Sequence, residues 1–186
     1  MTTQSKWGKI FSLWFPGVLI ITMLAGLAYG VAQQVFRHLA NDPQIQMAED
    51  TAAALALGSQ PETLIPSNKI EIGESLAPYL IIYDETGKPV IGNGVFHQEI
   101  PLPPSGVFDH ARVRQNRLTW QPKPGVRSAI VVQHFSGRQS GFVLAGRSLQ
   151  ETEQRVNQMQ NLVLLGWLAM NLVLLGWYIL FKRLYQ

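Results

Sequence analysis

Ile10 to Tyr29 reads IFSLWFPGVLIITMLAGLAY, and Leu162 to Phe181 reads LVLLGWLAMNLVLLGWYILF. Neither stretch carries a charge, and every acidic residue of the 186-residue chain lies between them. As a helix rising ~1.5 Å per residue, each covers the ~30 Å of a hydrocarbon core. These two runs predict a membrane protein in which two transmembrane helices flank one exported α+β domain with an antiparallel sheet. The predicted organisation is a tail over 1–9, a first span with its extension over 10–36 and the domain over 37–150. A juxtamembrane helix over 151–161, the second span over 162–181 and a tail over 182–186 follow.

Charge sets the expected orientation. Lys6 and Lys9 precede the first span, Lys182 and Arg183 follow the second, and neither tail holds an acid. The other eleven Lys and Arg share the centre with all twelve Asp and Glu, so the net charge of +3 resides in the ends. By the positive-inside tendency both termini are cytoplasmic and the centre is extracytoplasmic, and the absence of cysteine fits a bacterial plasma (inner) membrane. Trp7, Trp14, Trp177 and Tyr178 sit where interfacial anchors belong. Two charges per tail fall short of a polybasic patch, so the bilayer is the expected partner and nucleic acid is not. A cleaved signal peptide is the competing reading of the first run, given the small residues Gly26, Ala28, Gly30 and Ala32 beyond it. The length of the run favours an uncleaved anchor. With no cysteine, the domain has no disulfide and depends on its core.

Asp42-Pro43 has the form of a helix start, with Asp as N-cap and Pro at the first helical position. Ile45, Ala48, Ala52 and Leu55 follow at helical spacing, and Gly58 closes a helix over 43–57. A Pro-containing loop runs from Gln60 to Asn68. Strands are expected at Tyr79–Tyr83, Pro89–Ile91, Arg117–Trp120, Val126–Phe135 and Gly141–Gly146, with Asp84 to Lys88 as the first turn. Gly92-Asn93-Gly94 reads as a turn only, and Pro101, Pro103 and Pro104 as a loop across the middle of the domain.

The domain's exit carries the sharpest local signal. Ser148-Leu-Gln-Glu151 matches a capping box, in which Ser and Glu satisfy each other's orphan backbone donors. From there to about Leu184 there is no proline, so the last strand hands directly onto one continuous helix. Such a helix either transmits displacement or serves as a long anchor. Within it, Asn161-Leu-Val-Leu-Leu-Gly-Trp167 repeats as Asn171-Leu-Val-Leu-Leu-Gly-Trp177. Ten residues at ~100° each place the copies roughly 80° apart around the axis. Asn171 falls near the bilayer centre and calls for an interhelical hydrogen bond, and Gly26 and Gly30 form a GxxxG that lets two helices approach closely.

Catalytic signatures are missing: there is no Walker loop, GxGxxG, HExxH or GxSxG. His38, His97, His110 and His134 are scattered without metal-ligand spacing, and Glu49-Asp50 and Asp84-Glu85 read as solvated charges. Neither an enzyme nor a cofactor is expected.

A basic start, a span, a helix entering an exported domain, the strand-turn-strand LIIYDETGKPVIGNG and a last strand feeding GRSLQETEQR into a second span together form a pattern. The chain resembles the extracytoplasmic Cache (PAS-like) sensor region of bacterial sensor histidine kinases and chemoreceptors. Those receptors continue into cytoplasmic output domains, whereas this sequence ends after Phe181-Lys-Arg-Leu-Tyr-Gln186. The resemblance implies an input module whose output comes from another polypeptide, or a receptor that has lost its output half. It implies a small-molecule pocket on one face of the sheet, for which Tyr83 and Trp120 offer an aromatic wall and Arg127 and Arg147 a bidentate grip on a carboxylate. Ser148 and Glu151 cap the signalling helix, and the partner is a second copy or a membrane protein such as a histidine kinase. The alternative is a structural or assembly subunit of a larger membrane complex, in which Asn171 and the GxxxG pack against partner spans.

Overall fold

Burial sorts the strands before any pairing is considered. Tyr79–Asp84 (β2), Val126–Ser136 (β6) and Ser140–Ser148 (β7) bury near-continuous apolar runs, as strands with both faces covered must. Pro89–Gly92 (β3) and Asn116–Lys123 (β5) are far more exposed, as edge strands tolerate. The antiparallel order is accordingly β3-β2-β7-β6-β5. This is a computed structural model, and it describes residues 6–39, 42–104 and 106–184.

Alternation along the strands divides the core into two layers. Tyr79, Ile81, Tyr83, Ile130, Val132, Phe142 and Leu144 turn to one face, where Val107 and Ala111 of α4 (Val107–Val113) cover them. Leu80, Ile82, Val131, Val143 and Ala145 turn to the other, against Ala48, Ala52 and Leu55 of α2 (Asp42–Ala56). The alanine face of α2 lets the helix lie close on the sheet, and Gly58, at φ 97°, ends it by donating to the Leu55 carbonyl. The side chain of Asp42, expected as the N-cap, lies outside the described residues.

Several short elements escape the sequence reading. A single-turn helix, α3 (Pro61–Leu64), lies within the expected Gln60–Asn68 loop, and α4 follows the proline-rich loop directly. Ile70–Glu71 (β1) pairs in parallel with Gly94–Val95 (β4). Gly92-Asn93-Gly94 is therefore more than a turn. The buried Asn93 accepts from the Leu80 amide through Oδ1 at 2.8 Å, donates its own amide to the Leu80 carbonyl, and takes the Ile70 amide on its carbonyl. One residue thus stitches β1 to β2 of the larger sheet.

This sheet unit runs over Arg37–Glu153; the second unit comprises residues 1–36 and 154–186. In the second unit, α1 (Lys6–Leu39) and α5 (Gln150–Leu184) each contain a stretch long and apolar enough to cross a membrane. Trp14, Gly17, Ile21, Ala25 and Tyr29 are half-buried at helical spacing, as are Val163, Trp167, Asn171, Leu174 and Tyr178. Trp167 Nε1 donates to Thr22 Oγ1 at 2.9 Å, and a Cβ on Gly17 would meet Leu174 Cδ2 at 2.9 Å. The close approach of the two helices is therefore at Gly17. Gly26 and Gly30 have no atom within 4 Å of a built Cβ. Asn171 Nδ2 donates to the Trp167 carbonyl one turn back at 2.8 Å.

Tyr79 stands directly opposite Gly146 in the β2–β7 register, and its ring lies across that glycine where any Cβ would collide with it. Gly146→Ala forces the buried ring off its position and should cost about 1–3 kcal/mol, the usual range for overpacking a core. Thermal melting of the full chain in detergent measures this; an unchanged midpoint would show that the Tyr79 ring does not rest on Gly146.

Candidate functional site

The junction of β7 and α5 gathers the most chemistry. Leu149 is the single residue between strand and helix. Its amide donates to the Arg127 carbonyl at 2.8 Å, and its carbonyl accepts the Glu153 amide at 2.8 Å as the first helical bond. Leu149 therefore occupies the N-cap position. Ser148, expected there, is the last residue of β7, and its hydroxyl accepts from the Gln150 amide at 3.3 Å. The cap is displaced because the β6–β7 ladder runs on through the Ser128–Ser148 pair.

Arginines from two strands reach the first turn of α5. Arg127 of β6 meets Glu153 (Nη1 to Oε1, 2.6 Å), and Arg147 of β7 meets Glu151 (Nη2 to Oε2, 2.7 Å). Arg147 Nε also donates to the Leu76 carbonyl at 3.3 Å. Both guanidiniums thus pair with carboxylates of the chain's own helix. Beside this joint lies a recess of about 150 Å³ lined by Ile72, Gly73, Gly125, Val126, Arg127, Ser148, Gln150 and Glu153.

The other two residues chosen from the sequence are not at that recess. Tyr83 is fully buried, its hydroxyl donates to the Pro101 carbonyl at 2.7 Å, and its ring centroid lies 5.1 Å from that of Phe108. Burial, followed by neighbouring Tyr79, pushes its phenol far above the ordinary tyrosine range. Trp120 is a buried member of the same core face. The structure does not bring Tyr83 and Trp120 together with Arg127 and Arg147 around one cavity, because period-2 alternation sends the two aromatics into the core beneath α4. Tyr79 and Ser128 lie on that face as well. Both hydroxyls are buried without a hydrogen bond of acceptable geometry, although Ser128 is close enough to oppose slightly the upward push of burial on the Tyr79 phenol.

At the opposite end of the sheet lies a cluster that sequence spacing could not reveal. Glu85, in the β2–β3 turn, accepts from His134 Nε2 at 2.7 Å and from Arg112 Nη2 at 3.3 Å. Arg112 also donates to the Glu85 carbonyl and to Asp109, and its guanidinium lies 5.1 Å from the centre of the Phe142 ring. Turn, strand and helix α4 are tied together over 49 and 27 residues of chain. In the turn itself, Asp84 Oδ1 accepts from the Thr86 hydroxyl and from the Thr86 and Lys88 amides. Among the described residues no group of three His, Asp or Glu side chains is placed to hold a metal ion.

No family model matches this chain, and neither does any curated protein or solved structure.

Hydrogen bonds from Thr86 and then Lys88 hold Asp84 below its ordinary value of 3.8. For Glu85 the hydrogen bond from His134 leads, followed by Arg112, and the carboxyl lies below its ordinary 4.5. A carboxyl lowered by folding stabilises the fold above its unfolded value, and the contribution disappears as pH falls through the folded one. Wild-type chain should therefore lose melting temperature on acidification through roughly pH 4 and below, and a chain carrying Asp84→Asn and Glu85→Gln should show a shallower acid limb. Parallel melting curves for the two would contradict the assignment.

Proposed function

We propose that the chain is a membrane-anchored sensor module resembling a Cache (PAS-like) input region. In this reading α1 and α5 cross the bilayer, both termini are cytoplasmic and the sheet unit is extracytoplasmic. A small ligand biases the sheet, and α5 passes the change to a separate partner, a second copy or a membrane protein such as a histidine kinase. The observation that carries the reading is the joint. A strand from the middle of the sheet becomes the apolar helix after one residue, and Arg127 and Arg147 tie the first helical turn to two strands. The recess holding Arg127, Ser148 and Glu153 is where a small polar ligand could compete for the same groups.

A second reading, a structural or assembly subunit of a larger membrane complex, is favoured by Gly26 and Gly30. Both face open space beside an interface built on Gly17, so a further helix has room to approach them.

Because the chain has no cysteine, single-cysteine variants report topology cleanly. Ser140→Cys, at the exposed first residue of β7, should react with an impermeant maleimide on intact spheroplasts, and Gln186→Cys only after lysis. The reverse pattern would overturn the orientation, and with it an extracytoplasmic sensor. Purification in mild detergent then separates the two readings. Stoichiometric recovery with a complex that has no signalling component would decide for the assembly subunit.

A further inference from the structure

Residues 110–150, which contain β5, β6 and β7, hold seven Lys and Arg and no Asp or Glu. Three of the seven, Arg112, Arg127 and Arg147, meet carboxylates outside that stretch. Arg114, Arg117, Lys123 and Arg138 have no carboxylate partner among the described residues. Arg117 Nε donates to the neutral Gln115 side chain at 2.7 Å, which leaves its charge uncompensated. Arg117 and Lys123 are exposed on β5, and Arg114 is exposed two residues before it. The two edges of the five-stranded sheet also differ. β3 has four residues and opens with Pro89, and short length and proline both discourage a further strand. β5 has eight residues, and Asn116 to Trp120 pair with Val132 to Ser128 of β6 without a break. On its other side β5 has no strand among the described residues, so alternate N–H and C=O groups there face outward without a ladder partner.

An open ladder and uncompensated positive charge thus coincide on one strand. We infer that the β5 edge is a docking site for an extended acidic segment of a partner protein, which joins the sheet as a sixth strand. Backbone hydrogen bonds supply the pairing, and carboxylates on alternate residues of the segment come within reach of Arg117 and Lys123. A second copy of this chain does not suit the edge. Antiparallel pairing of β5 with itself gathers Arg114, Arg117 and Lys123 of both copies along one seam, and like charges across strands destabilise. The cations that bar a copy favour a strand of opposite charge. The inference does not depend on the sensor reading above.

The test uses the full chain in mild detergent, with the fluorescent peptide Thr-Glu-Val-Glu-Thr-Glu-Val-Glu as probe. One control peptide has Lys in place of Glu. Another has Pro inserted after every second residue, which keeps the charges but cannot form a strand. The acidic peptide should bind, and both controls should bind far more weakly. Arg117→Gln combined with Lys123→Gln should weaken its binding by up to about twentyfold, at up to about fivefold for each exposed ion pair. Arg138→Gln, in the turn between β6 and β7, should leave it unchanged. All three side chains are exposed, so the melting midpoint should stay at the wild-type value in both variants. Bound acidic peptide should also slow hydrogen exchange of amides within 116–121, which charge contact alone does not do. No binding of the acidic peptide, equal binding of the lysine or the proline peptide, or unchanged exchange over 116–121 would each overturn the docking edge. Disulfide-linked dimers of Thr119→Cys in membranes would overturn it too, by assigning the edge to a second copy.

Discussion

Leu149 belongs to two hydrogen-bond systems at once. Its N–H extends the sheet by bonding the Arg127 carbonyl, and its C=O opens the helix by accepting from Glu153. Backbone groups removed from water need partners, so neither system can shift without the other losing a bond. That constraint fixes where α5 begins and leaves β7, hydrogen-bonded on both edges by β2 and β6, as the element from which the helix departs. A conventional side-chain cap at Ser148 would free the helix start from the sheet. Ser148 instead remains in the ladder opposite Ser128, and its hydroxyl accepts the Gln150 amide from within the strand.

The ion pairs around the joint are half-exposed, and such pairs stabilise by about 0.2–1 kcal/mol each. Magnitude matters here more than number. Interactions of that size orient the first turn at little cost to exchange. The joint thus combines a backbone connection that is costly to break with side-chain contacts that are easily traded.

The architecture was largely legible because it is written in periodicity. Two uncharged runs give α1 and α5, the spacing of Ala48, Ala52 and Leu55 gives α2, and apolar runs such as Tyr79–Tyr83 give central strands. What escaped depends on long-range placement. Two residues of β1 and two of β4 carry no period, and Asn93 shows its role only once Leu80 and Ile70 lie beside it. Tyr83 and Trp120 look alike whether they line a pocket or fill a core, and only the covering helix α4 decides. Nothing in the spacing of Arg127 and Arg147 named Glu153 and Glu151 as the carboxylates they meet. Glu85, His134 and Arg112 are similarly remote in sequence. No motif marks Gly17, where α1 meets Leu174 of α5.

Hydrogen–deuterium exchange of the full chain in nanodiscs tests the coupling at the joint most directly, comparing wild type with the Arg127→Gln, Arg147→Gln double variant. The account predicts faster exchange of amides 150–158, by up to about fivefold for each lost pair, with β2 and the centre of β7 unchanged. Unchanged exchange over 150–158, or acceleration of β7 by the same factor as the helix, would contradict the claim that these arginines hold α5 to the sheet.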